Sequence, residues 1–316
     1  MENTQEALTA AFRPSDNREI PQKGRTGYVA LLGRPNTGKS TLLNTLLGCH
    51  LAAVSAKPQT TRRAMLGIYN DADAQVVFLD SPGVHPGHIA LDEAMDETVA
   101  KVVEDADIVL CLADPTRAPG EEDAMVAKIV ASCGKPVLLA LNKCDVSTEA
   151  QRDATLAFFR ETLPSCAPVL LTATDTASAH ALMERLKALL PTGVFLYDRE
   201  EITTAYERDV AADLIRETLL ERLQDEIPHC IAVSVDSWQD DGSLLQVEAT
   251  LNLEREAHKG IVIGQGGRMI KSLRRLAAKK ISELCQHPKV DLKLFVKVVP
   301  NWRRHRQFLK DMKLCE

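Results

Sequence analysis

Gly33-Arg34-Pro35-Asn36-Thr37-Gly38-Lys39-Ser40 is the stretch whose reading decides the fold. It fits the pattern G-x-x-x-x-G-K-[ST], which carries meaning only between a strand and a helix. The apolar run Tyr28–Leu32 before it reads as a buried strand, and Thr41–Leu47 after it as the start of a helix. Glycines let such a loop curl so that several backbone N–H groups converge on an anion. The helix N-terminus adds its positive dipole. Gly33, Arg34, Pro35, Asn36, Thr37, Gly38, Lys39, Ser40 and Thr41 are therefore candidate phosphate contacts. Lys39 supplies a point charge for β- and γ-phosphates, and the Ser40 hydroxyl suits Mg²⁺.

Working outward, apolar runs at Val76–Leu79, Ile108–Ala113, Val137–Leu141 and Val169–Leu171 alternate with helix-like stretches near 89–105, 121–132, 147–162 and 176–189. That alternation predicts an α/β domain with a mostly parallel sheet and helices on both faces. Ligands of such folds sit at the carboxyl ends of strands. Asp80-Ser81-Pro82-Gly83 falls at one such end: Asp80 can hold Mg²⁺ through water, and Gly83 can offer its N–H to a γ-phosphate. Asn142-Lys143-Cys144-Asp145 falls at another. The Asp145 carboxylate can accept from N1–H and N2–H₂ of guanine, whereas adenine would leave it unpaired. Thr172-Ala173 follows the next strand and can offer backbone N–H to guanine O6.

Lys57-Pro58-Gln59-Thr60-Thr61-Arg62 is polar and reads as a loop. A threonine there reaches Mg²⁺ only with the γ-phosphate in place, which makes the loop a nucleotide-sensitive switch. Val84 follows Gly83 and cannot orient a water molecule, so intrinsic hydrolysis should be slow and open to stimulation by a partner or a cation. His85 and His88 read as solvated loop histidines.

The 316 residues suffice for two domains. No apolar run approaches the ~20 residues of a membrane helix. Residues 1–26 read as a flexible tail, 27–190 as the first domain, 191–207 as a linker and 208–316 as the second domain with a C-terminal helix. The eight cysteines are scattered, without a C-x-x-C pair. A reducing cytoplasm fits them better than a disulfide framework or a zinc site. The net charge of −6 hides an asymmetry: residues 201–250 carry 12 acids and 3 bases, residues 251–316 carry 16 bases and 6 acids. The basic quarter suggests a polyanionic partner.

The second domain, which holds that quarter, has an order of its own. A helix at 208–223 leads to strands Cys230–Val235 and Leu244–Leu253, joined by a turn at Asp240-Asp241-Gly242. Gly264-Gln265-Gly266-Gly267 then fits G-x-x-G between two helix-like segments, and Leu292–Val299 closes the set as a strand. Such glycines let the chain approach a nucleic-acid backbone closely. Candidate contacts are Ile263, Gly264, Gln265, Gly266, Gly267, Arg268, Ile270, Lys271, Arg274 and Arg275. Trp302 beyond them serves equally well as a stacking platform for RNA or as a packing residue.

Four short motifs in order, each at a strand end, resemble the translation-factor-like class of P-loop GTPases. The loop G-R-P-N-x-G-K-S-T-L-L-N resembles the bacterial branch that includes the Era, TrmE and Der families. The helix–strand–strand–helix–G-x-x-G–helix–strand order resembles a type II KH domain, an α+β RNA-binding fold. Residues 27–313 together are similar to the Era family; Der-like chains carry two GTPase domains and TrmE has another architecture.

The resemblance implies GTP and GDP as ligands with Mg²⁺ held by Ser40, Thr61 and Asp80, Thr61 being favoured over Thr60 by the T-T-R pattern. It implies Lys39, Asn36 and Gly83 as the catalytic group, with K⁺ recruited at Asn36. It also implies binding to the 3′ end of 16S ribosomal RNA, assembly of the small ribosomal subunit, and a monomer in the cytoplasm with peripheral contact at the inner membrane. Two departures stand out. Thr172-Ala173-Thr174-Asp175-Thr176 replaces the usual S-A-x-x-G, and Gln265 stands where many relatives have Lys. The competing readings are an RNA-binding module with a relic nucleotide site, a TrmE- or Der-like GTPase with another RNA target, and a metabolic phosphotransferase.

Overall fold

The computed structural model describes residues 23–164 and 168–315. The apolar runs become the parallel strands β1 (Lys23–Leu32), β3 (Ala74–Asp80), β4 (Ile108–Ala113), β5 (Val137–Leu141) and β6 (Val169–Leu170). With β2 (Met65–Asn70) the sheet order is β2-β3-β1-β4-β5-β6. β3 and β4 are buried along their whole length, which explains why they read as unbroken apolar runs.

Five helices cover the sheet: α1 (Lys39–Leu47), α2 (Ala90–Asp105), α3 (Glu121–Ser132), α4 (Glu149–Thr162) and α5 (Thr176–Leu189). Side chains of β1 alternate between the two faces. Val29 and Leu31 pack with Leu42 and Leu46 of α1 and Leu182 and Leu186 of α5. Ala30 and Leu32 pack with Val99 and Val102 of α2, Val126 and Val130 of α3, and Phe159 of α4.

Two strands lie outside the sequence pattern. β2 runs antiparallel to β3 at the sheet edge. Its Gly67 leaves room for α1, since a Cβ there would stand 2.7 Å from Leu43 Cδ1. β7 (Thr192–Val194) pairs antiparallel with Lys23–Arg25, within segments read as linker and tail. β4 joins β1 only from Val29 onward, so the first residues of β1 have a free edge that β7 takes. The tail reading therefore ends before Lys23, and residues 1–22 lie outside the described residues.

The second unit contains α6 (Glu207–Arg222), β8 (Ile231–Asp240), β9 (Leu245–Leu253), α7 (Glu256–Ile263), α8 (Arg268–Cys285) and β10 (Val290–Val298). Its sheet has the order β10-β9-β8, with β10 parallel and β8 antiparallel to β9. α6 belongs to two cores. Val210 and Leu214, four residues apart, join the first-domain cluster; Ala211, Ile215 and Leu219 join the second-domain cluster.

A further apolar seam ties Leu91, Ala94 and Met95 of α2 to Ala232 of β8, to Trp302, and to Leu309 of the short α9 (Arg306–Asp311). Trp302 is fully buried and its indole N–H donates to the Cys230 carbonyl at 3.0 Å. It is a packing residue, and the stacking alternative is excluded.

Candidate GTP and RNA sites

The phosphate loop is crowded. Gly38 precedes α1 with a φ of +99°, and a Cβ there would lie 2.2 Å from Asn142 Nδ2. Lys39 is buried, and its Nζ donates to the carbonyls of Gly33 and Arg34, both at 3.1 Å. Burial lowers its pKa to about 8 against the opposing pull of Asp80. Asp80, at the end of β3, is pushed up to about 6 by burial, with Lys39 and Ser40 opposing. Ser40 Oγ donates to Asp80 Oδ2 at 2.6 Å and lies 3.1 Å from Thr61 Oγ1.

Asp80 Oδ1 is buried and has no hydrogen-bond partner. One carboxylate with a free oxygen and two hydroxyls fit Mg²⁺, which takes one or two carboxylates plus substrate phosphates, and the neighbouring Lys39 ammonium suits those phosphates. Thr60 turns away and donates to the Lys57 carbonyl at 2.9 Å, so Thr61 is the loop threonine at the site.

Arg34 departs from its expected role. Its buried side chain bonds Asp123 Oδ1 at 3.2 Å and the Asp114 carbonyl at 3.1 Å, so only its backbone remains in the loop. The Ser81 hydroxyl is likewise committed, to the Leu31 carbonyl at 2.7 Å. Asn36 sits at φ 63° and donates Nδ2 to the Ala56 carbonyl at 2.7 Å, joining the phosphate loop to the switch loop. Gly83 lies against Pro35: a Cβ would stand 2.6 Å from Pro35 Cα. The next residue, Val84, donates its N–H to the Gly33 carbonyl at 3.1 Å.

His88 is exposed, as read, but His85 is buried. Its Nδ1 donates to the Gly83 carbonyl at 3.0 Å. Its Nε2 lies 2.7 Å from Gln59 Nε2 and 3.3 Å from Asp92 Oδ1, so it bridges the 57–62 loop and the start of α2.

On the base side, Asn142 donates Nδ2 to the Thr37 carbonyl at 2.7 Å and accepts from the Ala173 N–H at 2.8 Å. One side chain thus holds the phosphate loop and the Thr172-Ala173 turn together. Lys143, at φ 60°, donates to Asp114 Oδ2 at 2.7 Å. Burial raises the Asp114 pKa, but Lys143 and Thr116 hold it below the ordinary value. Asp145 is exposed, with Thr172 Oγ1 at 3.5 Å from its Oδ1.

The second candidate site is open. Gly264, Gly266 and Gly267 have φ of 71°, 62° and 74° between α7 and α8. Arg268, Lys271, Arg274 and Arg275 are exposed, and Ile263 and Ile270 are half-buried beside them. Gln265 Oε1 accepts from Arg268 Nη2 at 2.7 Å. The opposite face of α8 buries Leu273, Ala277 and Ile281 at four-residue spacing.

Sequence reading missed the residues that join the two units. Arg62 is buried, bonds the carbonyls of Ile231 at 3.0 Å and His229 at 2.6 Å, and stacks 5.4 Å from the Trp302 ring centre. Arg63 pairs with Asp213 at 2.9 Å. Arg216 and Glu217 are both buried on α6. The available signal was a charged pair inside an otherwise apolar stretch, Leu214-Ile215-Arg216-Glu217-Thr218-Leu219-Leu220.

A nucleotide-type site at the strand ends joined to an open G-x-x-G loop defines a P-loop GTPase with a KH domain. A family profile described as 50S ribosome-binding GTPase matches residues 28–143, and one described as KH domain matches residues 226–303. GTPase Era of Geobacter metallireducens is 36% identical over 290 residues, covering 91% of this chain and 97% of that protein. GTPase Era of Pseudomonas aeruginosa is 38% identical over 296 residues, covering 93% and 96%. Aquifex aeolicus Era bound to GDP·AlF4⁻ is similar with a TM-score of 0.87 at 30% identity, over 92% of this chain and 100% of that one. An Era crystal structure with MgGDPNP and nucleotides 1506–1542 of 16S ribosomal RNA gives 0.86 at 30% identity, over 93% and 100%. The chain belongs to the GTPase Era family.

Proposed function

We propose that this chain is a GTP-hydrolysing switch that binds the 3′ end of 16S ribosomal RNA and assists assembly of the small ribosomal subunit. The observation that supports this best is the oxygen set of Ser40, Thr61 and Asp80, one Asp80 oxygen without a partner, in a chain that also carries the open glycine loop on a basic helix. A relic nucleotide site is disfavoured for the same reason. Burying Lys39 and Asp80 with incomplete pairing costs stability, and a phosphate ligand offsets that cost.

The roles divide as follows. Residues 27–190 bind nucleotide and 208–316 bind RNA. Phosphate-loop N–H groups and Lys39 hold the phosphates and stabilise charge on the transferring group. Magnesium, when bound, neutralises charge on the β- and γ-phosphates. Ser40, Thr61 and Asp80 would hold it. Asn142 braces the base side while Asp145 selects guanine. Gly83 answers to the γ-phosphate and hands the change to the segment leading into α2, which packs on Trp302. Val84 leaves water unoriented, so turnover is slow, with Asn36 recruiting K⁺ as activator; equal turnover in K⁺ and Na⁺ removes that role. The protein works as a monomer in the cytoplasm, with peripheral contact at the inner membrane. Among the described residues no helix is long and apolar enough to cross a membrane.

The test is binding to an RNA oligomer from the 16S 3′ end, with a GTP analogue and then GDP, across a salt series. Tighter binding with the analogue, and affinity falling steeply with salt, are the expected results. Equal binding in both states removes the coupling; no binding in either removes the RNA assignment.

A further inference from the structure

Thr61 stands in a loop held from outside its own domain. Arg216, in the middle of α6, donates Nη1 to the Thr60 carbonyl and Nη2 to the Gln59 carbonyl. Two consecutive carbonyls suit the planar fork of a guanidinium, which a lysine cannot reproduce. Lys57 donates to the Leu223 carbonyl just past α6. On the other side of Thr61, Arg62 and Arg63 bond second-unit groups. The chain on both flanks of the magnesium-side threonine is therefore anchored on the second unit, through the carbonyls of Gln59 and Thr60 before it and the side chains of Arg62 and Arg63 after it.

Arg216 is 4% exposed, and its fork lies on these two carbonyls with no carboxylate in salt-bridge range among the described residues. Asp213, one turn earlier, pairs with Arg63. A buried cation paired only with carbonyls is a poor device for stability. What it accomplishes is a fixed path for residues 59 and 60.

The neighbouring residue faces the other way. Glu217 accepts from the Val54 N–H at 2.8 Å and from Lys280 Nζ at 2.9 Å, and lies 3.1 Å from His50 Nε2. Lys280 belongs to α8, the helix that opens at the G-x-x-G loop. A single turn of α6 thus touches the switch loop and the RNA-side helix.

We infer that Arg216 is a positioning residue for the triphosphate-bound state: it holds the 59–60 backbone so that the Thr61 hydroxyl faces Ser40, and the Glu217–Lys280 contact makes that hold depend on how α8 is seated. This rests on the nucleotide-switch reading above. The device runs in both directions, because coupling between two binding sites is reciprocal.

The test uses full-length Arg216→Met and Arg216→Lys proteins. Four quantities are read: affinity for the magnesium complexes of a GTP analogue and of GDP, RNA affinity with each of them bound, amide hydrogen exchange of residues 57–63 without nucleotide, and thermal stability. For Arg216→Met, analogue affinity should fall about tenfold, roughly the loss of one or two charge-assisted hydrogen bonds. GDP affinity should hold, because Thr61 serves the metal only with the γ-phosphate present. Exchange at 57–63 should quicken, Arg216→Lys should fall between, and the analogue-to-GDP ratio of RNA affinities should drop toward one. Equal losses for both nucleotides with a lowered melting temperature would make Arg216 merely structural and overturn the inference. Unchanged affinity and exchange would overturn it too. Wild-type protein that binds neither nucleotide would sink the nucleotide reading itself, and this inference with it.

Discussion

The phosphate loop and the G-x-x-G loop are both glycine turns at helix N-termini, yet their glycines answer to different constraints. In the phosphate loop Gly38 is closed in by Asn142 and Gly33 by the Leu112 carbonyl oxygen, 2.5 Å from where a Cβ would sit; Gly83, after β3, packs against the same loop at Pro35. Around Gly266 there is open space, and near Gly267 only Lys271 Cε at 4.0 Å. Those two are favoured by their positive φ alone, and in that loop only Gly264 is closed in, by Met269 Cβ 2.7 Å from where a Cβ would sit. The first loop is built into the core of its domain and recognises a small ligand that must be enclosed. The second is presented to solvent and serves a long polymer that must slide in from outside.

The comparison can be broken by substitution. Gly38→Ala adds a clash to a strained φ; overpacking of this kind costs roughly 1–3 kcal/mol. It should abolish measurable nucleotide binding in a titration and lower the melting temperature. Next in size, Asp145→Asn should reverse preference between guanine and xanthine nucleotides, a change on the order of a hundredfold in relative affinity. Competition binding decides this, and unchanged guanine preference removes Asp145 from base reading. Gly267→Asp should weaken RNA binding roughly tenfold or more by setting a carboxylate against phosphate. Its melting temperature should barely move, because Asp tolerates left-handed backbone and the site has room. If Gly267→Asp unfolds the protein while Gly38→Ala does not, the contrast between the loops is wrong.

The smallest effect is one of pH. Asp80, pushed up to about 6, takes a proton as pH falls through that value, and a protonated carboxyl is a poor metal ligand. Magnesium-dependent nucleotide affinity should then fall by roughly tenfold per pH unit below 6, and Asp80→Asn should erase the dependence. Without ligand the sign is opposite. The folded Asp80 carboxyl holds its proton up to about 6 where the unfolded one releases it near 3.8, so its contribution to stability is lost as pH rises through 6. Lys39, lowered to about 8, is the reverse case: the unfolded chain keeps the proton to about 10.5, so its unfavourable contribution fades as pH rises from 8 toward 10.5.

Much of the candidate site was legible because its parts are local. A strand, a loop and a helix within twenty residues carry the phosphate motif, and Asp80, Asn142 and Thr172 are found by position after a strand. His85 was misread because solvation was inferred from loop character, whereas burial came from Gln59 and Asp92 closing on it. The direction of the Arg34 side chain was not legible because the motif counts residues; two acids far along the chain turn it away from the loop, in which its backbone remains. β2 and β7 were missed because short edge strands with glycine lack an apolar run.

What the sequence by itself determined was the set of elements, their order, and the chemistry at each strand end. Hydrophobic periodicity and glycine spacing are properties of neighbouring residues. What only the tertiary structure decided was which buried polar groups meet. Arg216 and Thr60 are 156 residues apart, and Trp302 and Cys230 are 72 apart. Periodicity tells that a side chain lies inside, and packing alone tells what it faces. The seam between the nucleotide site and the RNA-side helix is made of such contacts.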